Sequence, residues 1–137
     1  MRVPEPIAIL RPEISDIIGD THIHISEFII AKIQGKIKGR KGHPEITDEI
    51  FIRLPHNLNE PIKIHVDTRS AQKYIFVASS PTHVIVVETQ RKESGVTEIN
   101  TLYRVDKKEQ KRLEKFPTAY CPPSGGTPSI PSYMPRQ

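Results

Sequence analysis

The chain has 137 residues, a net charge of +4 and 36% hydrophobic residues, which is enough for one domain of ordinary size. No stretch approaches the length of apolar sequence that a membrane-spanning helix needs, and the first residues lack the apolar run of a secretory signal. The single cysteine, Cys121, excludes an internal disulfide and a CxxC metal clamp. These features predict a cytoplasmic protein with no membrane partner.

Two helices are predicted in the first half of the chain. Ser26 is a typical N-cap, and isoleucines recur at helical spacing after it, which predicts a helix through residues 27–37. A second helix is expected to start at His43-Pro44, since proline favours the first helical position, and to end at Pro55. Residues 32–41 hold five basic residues and no acid. Such a segment indicates contact with phosphates, although a solvated helix face has the same pattern.

Four strands are predicted in the second half, over residues 62–67, 73–79, 83–90 and 96–105. In the first strand, apolar residues alternate with Lys63, His65 and Asp67, so these three polar side chains share one face. The third strand is apolar on both faces, which is typical of a central strand. Because the strands are joined by short turns, the sequence predicts an antiparallel meander.

A basic helix and a proline-rich tail are predicted after the strands. Asp106 with Glu109 forms a capping box that opens a helix over residues 107–115. Residues 117–137 contain six prolines and no acid, which is typical of a disordered tail or of an arm that docks on a partner or on its own domain. The expected domains are therefore residues 1–116 and the tail 117–137. The predicted fold class is α+β, with two N-terminal helices, a four-stranded antiparallel meander, a C-terminal helix and a proline-rich tail.

Five segments of the sequence, taken in order, carry a resemblance to a known family. They are KGHPEITDEIFIRLP, NEPIKIHVDTR, KYIFVAS, VIVVE and INTLYRV. Their order is similar to the phage-type branch of the barnase, EndoU, colicin and RelE-like nuclease superfamily. In that group a His-Pro helix leads through Leu-Pro to a strand of the form Pro-x-x-x-x-x-Asp, and a later strand ends near Thr-x-Tyr. The matching positions here are His43-Pro44, Leu54-Pro55, Pro61 to Asp67, and Thr101 to Tyr103.

The resemblance implies a function. It implies a metal-independent endoribonuclease of the toxin type, which cleaves tRNA or mRNA through attack of a 2′-OH on the adjacent phosphate. No cofactor or metal is expected. RNA is the expected partner, with an antitoxin or immunity protein as a second one.

Cleavage of this kind needs a base for the 2′-OH proton, a cation near the phosphate and an acid for the leaving oxygen. His65 or His43 would act as acid or base, and Arg69 would stabilise the phosphate. The candidate catalytic residues are His65, His43, Arg69, Tyr103, Thr101 and Asp67. The candidate RNA-binding residues are Lys36, Lys38, Arg40, Lys41, Lys63, Tyr74, Arg104 and Lys108. Glu88 is a further candidate base, which would need a partner such as Arg69 or Lys92.

Two alternatives from other classes remain open at this point. The same basic surface would serve a non-catalytic module that binds nucleic acid or an acidic protein. In the second alternative, the proline-rich tail is the functional part and either binds a polypeptide or has a structural role in a phage particle.

Overall fold

The computed structural model describes residues 6–39, 41–80 and 83–122. Over these ranges the chain forms five helices and one seven-stranded sheet. The elements are β1 (Ala8–Ile9), α1 (Pro12–Ile18), β2 (His22–His24), α2 (Glu27–Ile33), α3 (Asp48–Ile52), α4 (Leu54–Asn59), β3 (Lys63–Val66), β4 (Lys73–Ser79), β5 (Val84–Arg91), β6 (Thr97–Val105), α5 (Lys107–Leu113) and β7 (Thr118–Tyr120). Within these ranges, none of the helices has the length and apolar character needed to cross a membrane.

The sheet is larger and more mixed than the sequence predicts. Its strand order is β1-β2-β6-β5-β4-β3-β7. Strands β3 to β6 are antiparallel neighbours, but β2 lies parallel to β6, and β1 and β7 are added at the two edges. The prediction of a four-stranded antiparallel meander is therefore wrong. The three additional strands have only two or three residues each, which is too short for an alternating pattern to indicate them.

The prediction of two N-terminal helices is also wrong, because four short helices precede β3. The helix that Ser26 caps ends at Ile33, before Gly35, which adopts a φ of 75°. Residues 44–47 are not helical, and Pro55 lies inside the start of α4 instead of ending a helix. Proline is compatible with the first turn of a helix because the N–H it lacks has no intrahelical partner there.

The helix after β6 is present, and its start follows from local chemistry. Asp106 accepts a hydrogen bond on Oδ1 from the backbone N–H of Glu109 at 2.8 Å, and α5 ends at Leu113. The chain then returns to the sheet, where Thr118–Tyr120 pairs with β3 as strand β7. These three residues belong to the segment predicted as a tail, whereas residues 123–137 lie outside the described residues.

The two faces of the sheet carry separate apolar clusters. One face, here called the helical face, contributes Phe76, Ile85 and Leu102 to the main core, where they pack with residues of α1 to α4. The opposite face, here called the α5 face, carries a smaller cluster that α5 and the buried ring of Phe116 cover. Burial of such side chains contributes about 1.5–3 kcal/mol each. Because this second cluster is small, part of the α5 face has room for polar side chains.

A bulge in β6 decides which side chains reach the α5 face. The register with β5 shifts between Glu88 and Thr89, so that Glu88 pairs with Thr101 and Thr89 pairs with Ile99. Asn100 is the extra residue at this irregularity. As a result Thr101 lies on the same face as Glu88. In a regular strand, side chains alternate between the two faces, so Asn100 and not Thr101 would lie on the face opposite the buried Ile99.

Candidate functional site

A carboxylate with two partners lies at the centre of the polar part of the α5 face. The Nζ of Lys73 lies 3.1 Å from Oε1 of Glu88, and the hydroxyl of Tyr103 donates a hydrogen bond to Oε2 at 3.1 Å. The side chains of Lys73 and Glu88 are 20% and 19% exposed. Their positions follow from strand geometry, since β4, β5 and β6 are adjacent and each contributes one of the three residues. The cluster is therefore accessible to a ligand, yet partly shielded from water.

Tyr103 connects this carboxylate to a histidine. Burial, with the Glu88 carboxylate next, raises the pKa of the Tyr103 phenol, so the phenol stays protonated and donates to Glu88. The ring of His43 lies 6.0 Å from the Tyr103 ring, centroid to centroid. On its other side, Nδ1 of His43 is 3.5 Å from Oε2 of Glu45. An imidazole thus lies next to the carboxylate cluster with a carboxylate of its own.

A cavity of about 310 Å³ opens beside β6. Its lining residues are Lys32, Lys41, Gly42, His43 and Thr101. Thr101 is the register partner of Glu88, so their Cβ atoms are expected about 5 Å apart on one face. The Nζ of Lys32 is held by a hydrogen bond to the backbone oxygen of Asn100 at 3.2 Å. The side chains around this cavity are mainly hydrogen-bond donors, which suits an anionic group.

The loop that carries His43 is closed by two glycines. The backbone N–H of His43 donates to the oxygen of Ile33 at 2.6 Å. The backbones of Gly35 and Gly42 are in close contact, and a Cβ on Gly42 would come within 2.4 Å of the nitrogen of Gly35. Both glycines have a φ of 75°, which other residues rarely adopt. This closure brings the end of the basic segment against β6 and places Lys41 and His43 at the cavity.

On the other side of Glu88, an ion pair continues the cluster. Asp67 is 1% exposed, and it accepts hydrogen bonds from the backbone N–H, the Nε and the Nη2 of Arg69, each at 3.0 Å. These bonds lower the pKa of Asp67 to about 2. The Nζ of Lys73 is 3.6 Å from Oδ2 of Asp67, so Lys73 lies between the two carboxylates.

The structure brings together some of the predicted catalytic residues. His43 and Thr101 line the cavity and Tyr103 donates to Glu88. Asp67 and Arg69 lie across Lys73 from Glu88. It does not bring His65 to this cluster. His65 is 2% exposed, and its Nδ1 lies 3.2 Å from the backbone oxygen of Phe116. Burial lowers the pKa of His65, so the ring is neutral and helps to hold the chain segment after α5.

The predicted RNA-binding residues are spread over the molecule. Lys41 lines the cavity, and Lys36 and Lys38 are exposed in the same loop. The others lie away from Glu88. Lys63 is beside His65 under α5, Tyr74 packs against the main core on the helical face, and Arg104 and Lys108 are exposed near the end of β6 and on α5. Arg40 lies outside the described residues.

Sequence reasoning did not identify Lys73 as a site residue, and it expected Arg69 or Lys92 as the partner of Glu88. Lys92 instead contacts the Oδ1 of Asn100. A signal for Lys73 existed in the predicted hairpin, because a lysine at the start of β4 lies diagonally across from a glutamate near the end of β5. This signal identifies Lys73 only when the register between β4 and β5 is known.

No three His, Cys, Asp or Glu side chains within residues 6–39, 41–80 and 83–122 form a group that could hold a metal ion. Comparison of the chain with known proteins found no matching family model, no curated protein and no solved structure with significant similarity.

Proposed function

We propose that the protein is an endoribonuclease of the toxin type that cleaves RNA without a metal ion, by attack of a ribose 2′-OH on the adjacent phosphate. One observation supports this above all. Glu88 is the register partner of Thr101, and Thr101 lines a cavity together with His43 and two lysines. A candidate base therefore lies across from a residue of a cavity whose lining offers an acid and two cations to a phosphate.

In the proposed reaction, Glu88 accepts the proton of the 2′-OH, and the 2′ oxygen forms a bond to phosphorus. The bond from phosphorus to the 5′ oxygen breaks, and His43 in its protonated form gives a proton to that oxygen. The products are a 2′,3′-cyclic phosphate and a 5′-hydroxyl, so no oxidant or further reactant is needed. Oε2 of Glu45, 3.5 Å from Nδ1 of His43, lies at ion-pair distance from the imidazole.

The remaining groups have electrostatic roles in this proposal. Lys32 and Lys41 face the phosphate oxygens from the cavity wall, where they stabilise the negative charge that develops in the transition state. Thr101 supplies a hydroxyl that donates to the same oxygens. Tyr103 and Lys73 hold the two oxygens of Glu88, which fixes the orientation of the base. His65, a candidate acid or base from the sequence, has no role in this proposal because it is buried under α5.

The test is incubation of the purified protein with single-stranded RNA in EDTA, followed by analysis of the fragment ends. Fragments with 2′,3′-cyclic phosphate ends are expected, and Glu88→Gln should reduce the rate about 10²–10⁴-fold, as expected for loss of a general base. The matched control is Glu49→Gln, an exposed glutamate of α3 on the helical side of the sheet. It should leave the rate unchanged, and the melting temperatures of both variants should show that they fold.

The same pair of variants tests the toxin assignment in cells. Expression of the wild-type chain should arrest growth, Glu88→Gln should relieve the arrest, and Glu49→Gln should not. RNA that is bound but stays intact at high protein concentration would contradict the enzyme and favour a non-catalytic binding module.

A further inference from the structure

We infer that Arg69 forms a second phosphate-binding position, apart from the cavity, so that the ligand of this face is a polynucleotide with at least two phosphates. The inference rests on the proposed function and extends it, because it states which part of the substrate lies beyond the cleaved bond. It concerns binding, and it assigns Arg69 to a position outside the cavity.

The first argument is distance. Arg69 follows β3, whereas Thr101 at the cavity belongs to β6, and β4 and β5 lie between these strands. Neighbouring strands are about 4.8 Å apart, so β3 and β6 are separated by about 14 Å. One phosphate group is much smaller than this separation. A ligand that reaches both positions must therefore carry separate phosphates and cross the strands of the α5 face.

The second argument is the unused hydrogen-bonding capacity of the guanidinium. A guanidinium has five N–H donors. Asp67 binds Nε and one N–H of Nη2, and no other acceptor contacts this side chain in the described parts of the chain. Three donors remain, and the Arg69 side chain is 68% exposed. These donors have the planar arrangement that suits a phosphate.

The third argument is that the guanidinium is held in place. Asp67, with a side chain only 2% exposed, fixes one edge through two side-chain hydrogen bonds. The ring of Phe116 supports the group, with the Arg69 Cζ 5.0 Å from the ring centroid. The Nζ of Lys115 lies 5.1 Å from the same centroid, which adds positive charge nearby. A turn at Asp67 would need only the backbone N–H of Arg69, so the fixed, exposed side chain calls for a separate explanation.

The test measures how binding depends on salt. A single-stranded oligonucleotide with 2′-O-methyl riboses is used as the probe, because it has no free 2′-OH and stays intact. Its affinity is measured by fluorescence anisotropy between about 50 and 200 mM salt. Each phosphate contact contributes about 0.7 to the slope of log K against log salt concentration for a single strand. Arg69→Gln should therefore lower the slope by about 0.7, and Arg69→Lys, which keeps the charge, should retain most of it.

The matched control is Arg53→Gln. Arg53 is an exposed arginine between α3 and α4, on the helical side of the sheet, and its substitution should leave the slope unchanged. A second readout uses cleavage. A dinucleoside monophosphate carries one phosphate, so Arg69→Gln should lower kcat/KM severalfold more on a long oligonucleotide than on the dinucleotide.

The outcomes separate this inference from the proposed function. If Arg69→Gln lowers the melting temperature but keeps the wild-type slope, Arg69 only stabilises the turn and the inference is wrong, while cleavage remains. If the slope falls as expected but RNA stays intact, binding at Arg69 holds and the catalytic proposal fails. If the wild-type protein binds no oligonucleotide, both are wrong.

Discussion

Substitution of Gly42 by alanine tests whether the closed loop positions the site. A Cβ at this residue would lie 2.4 Å from the nitrogen and 2.5 Å from the Cα of Gly35, and 2.8 Å from the oxygen of Ile33. All three are backbone atoms, so no change of rotamer can relieve the clash. The loop must open, and His43, which immediately follows, must move away from Tyr103.

Gly39 provides the control that separates clash from backbone strain. It has a φ of 82°, close to the 75° of Gly42, but a Cβ there would meet nothing within 4 Å. Alanine at either position pays about 1–2 kcal/mol for the left-handed conformation. Only Gly42→Ala adds an overpacking cost, about 1–3 kcal/mol. At about 4 °C per kcal/mol for a domain of this size, Gly42→Ala should melt about 4–12 °C below Gly39→Ala.

Thermal unfolding of the two variants, followed by circular dichroism, measures this difference. Proton NMR of the His43 and Tyr103 rings shows at the same time whether the rings have separated. Equal melting temperatures, with unchanged ring signals in Gly42→Ala, would refute the argument that the contact between Gly35 and Gly42 holds His43 at the cavity.

Three further predictions concern stability. The carboxyl of Asp67 has a pKa of about 2 in the folded chain against 3.8 in the unfolded chain. About 2 kcal/mol of the free energy of unfolding is therefore present above pH 4 and lost as the pH falls to 2. Asp67→Asn should lack this component when urea unfolding is measured as a function of pH. Folding lowers the pKa of His65 from 6.5, so the imidazole of the unfolded chain is protonated first as the pH falls, and the free energy of unfolding should decrease below pH 6.5. His65→Asn, whose side-chain amide can still donate to the backbone oxygen of Phe116, should make the free energy of unfolding depend less on pH in this range. Phe76→Ala should cost about 3–5 kcal/mol in denaturant unfolding, because Phe76 is fully buried, whereas the 55% exposed Phe28 should cost far less.

The strands that the sequence predicts are those whose signals are local. β4 covers residues 73–79 as expected, because a run of β-branched and aromatic residues bounded by turns is sufficient to indicate it. β2 contains three residues, and its parallel pairing with β6 joins residues more than 70 positions apart, as Ile23 with Thr97 shows. β7 is hidden among prolines and is held by backbone hydrogen bonds to β3, which leave no pattern in the side chains.

The α5 face shows why correct alternation is not enough to find a site. His65 does lie on the face opposite Ile64, as the pattern predicts, but Phe116 and α5 cover it. Glu88 lies on the same face and remains accessible, since its neighbours across the sheet are Lys73 and Tyr103 instead of a helix. Which part of a face is covered depends on where the chain goes after β6, and this is a tertiary property.

The basic segment leads to a similar conclusion about charge. Composition treats the cations of residues 32–41 as equivalent, and their density indicates contact with an anion. The structure separates them, because closure of the loop at Gly35 and Gly42 brings Lys41 to the cavity and leaves Lys36 exposed away from it. Lys32 reaches the cavity from α2 and is fixed there by the oxygen of Asn100, the extra residue of the β6 bulge. Two backbone irregularities, the contact between Gly35 and Gly42 and the bulge at Asn100, therefore determine which lysines lie together at the cavity. Neither irregularity can be recognised from the number of lysines in the segment.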